Sequence, residues 1–140
     1  MKLLRNVLLA LTFTRYAFGA DAASPEMVEQ KLIALAGAGS HNCGTIPLGS
    51  DYKAAFACAK NGISSGTAFR VARQVQGIDS FIWEGAARDE KGNIWAVLYD
   101  SDPSGGSRAA PVLNVTQCHN LAFSVQGRDA LECSALVDGP

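Results

Sequence analysis

The segment Asp100-Ser101-Asp102-Pro103-Ser104-Gly105-Gly106 sets side-chain oxygens at Asp100, Asp102 and Ser104, on alternate positions, and follows them with glycine. This is the first half of a calcium loop, because a hard cation asks for several oxygens turned inward by a tight backbone. Its twelfth position is Pro111 in place of the usual bidentate Glu, and its flanks read as strands. Asp102-Pro103-Ser104-Gly105 is also ordinary turn chemistry. Calcium at Asp100, Asp102 and Ser104 is therefore a candidate that competes with a plain polar turn.

The four cysteines, Cys43, Cys58, Cys118 and Cys133, form a second set. The interval from Cys43 to Cys58 equals that from Cys118 to Cys133. Zinc sites bring cysteines in close C-x₂₋₄-C pairs, and no two cysteines here lie that near. An even count in a small exported chain reads instead as a disulfide framework. Short loops close most easily, so Cys43–Cys58 and Cys118–Cys133 are the expected pairs. Each would contribute about 3 kcal/mol by loop entropy.

His41 and His119 flank cysteine regions. A Cys–His nucleophile needs a free thiol, which pairing removes. No G-x-S-x-G elbow is present. A small hydrolase could use His119 near Asp79 or Ser80, or an acidic pair such as Asp79 and Glu84, if the fold brought them together. The local reading is a turn aspartate and a solvent-facing glutamate.

Trp83, Trp95 and Tyr99 form a third set, with Trp95 and Tyr99 on one strand face and Trp83 on a neighbouring strand. Aromatics on an open sheet face are typical binding anchors. The commoner arrangement buries them beneath a helix. Asn114-Val115-Thr116 matches a glycosylation sequon, relevant only in a eukaryotic secretory pathway.

These residues need a scaffold, and the N-terminus says where it is made. Lys2 and Arg5 precede a short apolar run from Val7 to Phe13, and small residues follow at cleavage spacing. A cut can follow Ala17-Phe18-Gly19 or Ala20-Asp21-Ala22, and the second is preferred. Residues 1–22 thus read as a signal peptide and residues 23–140 as one mature domain, exported to a periplasm or secreted. Cutting after Ala22 takes the formal net charge from −1 to about −3. A mildly acidic chain without a basic cluster argues against nucleic acid. No apolar run reaches the roughly 18 residues of a membrane span. A hydrophobic fraction of 48% with 18% charged residues is that of a globular protein, and the length suits one domain.

Ser24-Pro25-Glu26 opens a helix, Val28, Leu32, Leu35 and Ala36 share its face, and Gly37 and Gly39 end it. Residues 40–49 read as a loop. Ser50 caps a second helix through Tyr52, Ala55, Phe56 and Ala59, with Asn61-Gly62 as its stop. Period-two alternation follows at 69–75, where Arg73 breaks an apolar face, and again at 81–88 and 94–99. The turn at 89–92 joins the last two. Further strands are expected at 112–115, 121–125 and 130–133, with a turn at 127–129. Simple pairing there sets Cys133 opposite about Ala122, in the wrong row for Cys118. The order predicts an α+β domain: two helices packed on one face of an antiparallel sheet of about five strands, stapled by disulfides.

The function these features predict is an exported binding domain, an inhibitor or immunity-type partner of another protein. The alternatives are the small hydrolase and a calcium-stabilised structural domain.

Overall fold

The computed structural model describes residues 23–106, 110–124 and 131–135. The expected signal peptide at 1–22 and the turn at 127–129 lie outside the described residues.

Helix α1, Ala23–Ala36, carries Val28, Leu32 and Ala36 on one buried stripe. The Gly37 amide donates to the Ile33 carbonyl and closes its last turn. Helix α2, Lys53–Ser65, begins after Tyr52. Ser50 is not its cap: the Asp51 carboxylate accepts the Lys53 amide at 2.9 Å instead. Asn61-Gly62 does not stop it either, and the left-handed residue that ends it is Gly66. Gly62 serves packing, because a Cβ there would lie 2.6 Å from the Phe69 ring.

The sheet has six strands in chain order: β1 His41–Ile46, β2 Phe69–Gln76, β3 Phe81–Arg88, β4 Ile94–Asp100, β5 Val112–Phe123 and β6 Leu131–Ala135. From β2 to β6 all pairing is antiparallel. The expected loop at 40–49 is largely β1, which pairs parallel with β2, and α2 is the crossover that parallel pairing requires. The sheet is therefore mixed. Asn42 and Gly44 disguise β1: the Asn42 side chain accepts the Gly44 amide, and the register shifts between Asn42 and Thr45.

The helices pack on opposite faces, not on one. Phe69 and Val71 of β2 face α2, and join Phe56, Ala59, Ala86, Leu121 and Phe123 in one core. Ala72, on the alternate side, joins Trp83, Ala87, Val97 and Tyr99 under Val28 and Leu32 of α1. A Cβ on Gly85 would meet Leu32 at 3.0 Å, so glycine lets α1 settle onto β3. Strand β2 is buried on both sides, and its local sequence does not distinguish one covered face from two.

The expected pair of strands at 112–115 and 121–125 is the single strand β5. A bulge between Cys118 and Asn120 removes the registry problem. Cys133 lies opposite Leu121, yet the bulge brings it within 5.3 Å of Cys118, Cα to Cα. Strand β6 also reaches β3 and β4, so the sheet curls toward the α2 side, where Phe123 meets the Phe56 ring at 5.0 Å.

Candidate functional site

The three aromatics expected as exposed anchors belong to the α1 core. Trp83 is 6% exposed and Tyr99 4%, and Trp95 is half-buried against the same cluster. They alternate in phase with Ala72, Ala87 and Val97, the face α1 covers. Burial of the aromatic face won over display.

The Asp100 loop behaves as a turn. Asp100 Oδ1 accepts the Asp102 amide at 3.0 Å, and the Asp102 carbonyl accepts the Gly105 amide. Ser101 Oγ accepts the Phe81 amide and ties the loop to β3. Asp102 Oδ1 is buried and makes no hydrogen bond, whereas Ser104 is exposed. Asp100 thus spends one oxygen on its own backbone, the local bonding that favours Asp in turns.

His119 and the Asp79-Ser80 pair lie at opposite ends of the sheet. Cys118 stands level with Ile94 and Arg88, whereas Asp100 stands level with Ile82. Six strand positions span about 20 Å, beyond the reach of a side chain. Glu84 is not solvent-facing: its side chain is 18% exposed and ion-paired with Arg73.

Both expected disulfides are present, Cys43–Cys58 and Cys118–Cys133. Cys43–Cys58 ties β1 to α2. His41 lies beside it, and one of its ring nitrogens and the two sulfurs fall within 4.8 Å of one another.

The arrangement that sequence reading missed is the α2 side of β2 to β5. Arg73 Nε and Nη2 both donate to Glu84 Oε2, at 3.0 and 2.8 Å. The guanidinium stands 5.2 Å from the Tyr52 ring centroid and 5.8 Å from that of Phe56, within cation–π range. The signal was legible as an Arg in an otherwise apolar strand face. Its partner was hidden until β3 paired with β2, which sets Glu84 directly opposite Arg73.

Two clefts flank this pair. One, of about 490 Å³, runs from Ile46, Leu48 and Tyr52 to Arg73 and Val75. The other, of about 190 Å³, runs from Glu84 across Leu98, Asn114 and Thr116 to Leu131 and Cys133. Register places Arg73, Glu84, Leu98 and Asn114 in one row across four strands, and Val75, Ile82, Asp100 and Val112 in the next. Leu98 is 42% exposed, Leu48 and Val112 are exposed, and the adjoining hairpin displays Ile78 and Phe81, 91% and 62% exposed. Most of the exposed large hydrophobic side chains among the described residues therefore gather at one end of the sheet. Asp79 and Asp100 rim them with negative charge. Such an end can bury apolar area against a partner while its polar rim sets orientation. Compared with protein-family models, curated proteins and solved structures, the chain matches none.

Proposed function

We propose that the mature domain is an exported, disulfide-bonded binding module for another protein, an inhibitor or immunity-type partner, and that the open end of the sheet is its contact surface. The observation that carries this reading is the gathering of Leu48, Leu98 and Val112 around the Arg73–Glu84 row, with Ile78 exposed in the hairpin at the same end. Isolated exposed apolar residues are ordinary, whereas a cluster rimmed by polar groups marks an interaction site. The acidic rim and the net negative charge favour a partner with a basic contact face. Export is supported by the pattern of residues 1–22 and by the two disulfides, which persist in oxidising compartments. No helix among the described residues is long and apolar enough to cross a membrane.

The test is affinity capture from the exported fractions of the source cells, with three baits: the mature protein, Leu98→Arg, and Met27→Arg on the exposed side of α1. One protein should be retained by the wild type and by Met27→Arg, and lost with Leu98→Arg at an unchanged melting temperature. Equal retention by all three would contradict the proposed surface.

A further inference from the structure

The group His41, Cys43 and Cys58 lies at the edge of the α2 core, with Cys43 packed against it, and outside the proposed contact surface. Among the described residues it is the one set of three His, Cys, Asp or Glu side chains whose ligand atoms converge. We infer that the Cys43–Cys58 disulfide gates a divalent-metal site: once a dithiol opens it, two thiolates and a ring nitrogen of His41 form a three-ligand centre for zinc.

The geometry is near what zinc requires. Zinc holds thiolate sulfur at about 2.3 Å and imidazole nitrogen at about 2.0–2.1 Å, so two ligands of one tetrahedral ion lie roughly 3.5 Å apart. Ligand atoms already within 4.8 Å of one another need only side-chain adjustment once the S–S bond is broken. Each ligand stands on a defined element: His41 and Cys43 on β1, Cys58 on α2. His41 is exposed, and both cysteines are half-buried. Cys58, Asn61, Gly62 and Ser65 share one helix face and line a cleft of about 320 Å³ with His41 and Phe69. The cleft leaves room for a water as fourth ligand, the composition of an open zinc site. The Cys118–Cys133 bond has no such company, since Cys118 is buried and His119 joins no converging group among the described residues.

The chemistry balances in two steps. A protein or small-molecule dithiol breaks the S–S bond, leaves two thiols on Cys43 and Cys58, and is itself oxidised to a disulfide. Zinc then displaces one proton from each thiol, and neutral His41 supplies the third lone pair. The reverse sequence releases the metal: a disulfide of the same class takes two electrons from Cys43 and Cys58, is reduced to the dithiol, and leaves their S–S bond re-formed.

The experiment is a cobalt(II) titration, followed by zinc competition, of the mature protein with and without a non-chelating phosphine reductant. The reduced protein should take up one equivalent, with thiolate-to-cobalt charge-transfer absorption and tetrahedral visible bands. The oxidised protein should show neither. His41→Ala should bind at least about tenfold more weakly. The Cys43→Ser/Cys58→Ser protein should give no signal, although its other disulfide is also reduced. Should reduction loosen the fold, zinc is expected to raise the melting temperature of the reduced wild type and not that of the double variant, because a site built by the fold stabilises it. Binding by the oxidised protein, binding that survives the double substitution, unchanged affinity in His41→Ala, or no uptake by the reduced protein would each overturn the inference.

Discussion

The two faces of the sheet are closed by different means. Beneath α1, Val28, Leu32 and Ala36 meet Ala72, Trp83, Ala87, Val97 and Tyr99 in a core without a covalent link. Its main ion pair, Glu29 with Arg70, sits at the rim and also fastens Ser40 at the start of β1. On the α2 side the helix lies mainly over β1 and β2 and reaches β5 through the Phe56–Phe123 ring contact, both disulfides are spent, and a largely buried ion pair stands between two clefts. A face filled by aromatic and aliphatic side chains needs no staple. A face left partly open lacks that area, and covalent loop closure supplies stability that packing does not. The contrast explains how a small domain can leave one end of its sheet uncovered.

This contrast can be broken by substitution, and the largest effect is expected on the closed face. Trp83→Ala should cost about 3–5 kcal/mol in denaturant unfolding, as for other buried aromatics. It should weaken partner capture only in proportion to the fraction unfolded. A smaller loss that left capture abolished would mean that the α1 face takes part in binding.

Removing one disulfide by double Ser substitution should cost about 3 kcal/mol, given the loop each closes. The loss should fall on α2 when Cys43–Cys58 is removed and on the β5–β6 pair when Cys118–Cys133 is removed, read by hydrogen exchange, while amides under α1 keep their protection. Uniform loss of protection would show that the two faces fold as one unit.

Arg73→Met alone should cost about 1–3 kcal/mol, below the usual figure for a buried pair because Glu84 keeps some solvent contact. Arg73→Met with Glu84→Leu should recover most of that loss. A double variant as unstable as the single one would show that the row is held by packing around Tyr52 and Phe56 and not by charge.

The smallest effect lies outside both faces, in the β3–β4 turn. Partial desolvation raises the Asp89 carboxyl pKa, but the Asn93 side-chain amide and the backbone amides of Asn93, Lys91 and Gly92 outweigh it and hold it below its usual value. Asn93 donates to both Asp89 oxygens, at 2.8 and 2.9 Å. A pKa lowered by folding contributes stability above the unfolded value near 3.9, and that contribution fades as pH falls through the folded value. Asp89→Ala should therefore melt slightly below the wild type at neutral pH, and the gap should close in acid. A gap that persists in acid would assign the loss to turn geometry alone.

Much of this was legible in the sequence, and the parts that were not share a cause. The stripe of Val28, Leu32 and Ala36, the meander of β2, β3 and β4, and both cysteine pairs follow from local periodicity, turn chemistry and loop length. Strand β1 did not, because parallel pairing leaves no hairpin signal and Gly44 breaks its alternation. The opposite placement of the helices was hidden because β2 is buried on both sides, with Ala72 serving one core and Phe69 and Val71 the other. The bulge after Cys118 carries no local signature, so the second disulfide looked misaligned. For the site, the exception at Arg73 was visible, but its meaning depended on Glu84 from the next strand. Trp83, Trp95 and Tyr99 pointed to the wrong face because a period-two pattern shows which residues share a side without showing which side is covered.

The central claim is that binding uses the open end of the sheet and not the α1 side. Site-specific photo-cross-linking tests it directly, with a photoreactive residue at position 98 in one preparation and at position 27 in the other. A discrete adduct with a single protein from position 98, and none from position 27, is the predicted result. No discrete adduct from position 98, or the same adduct from both positions, would contradict the account.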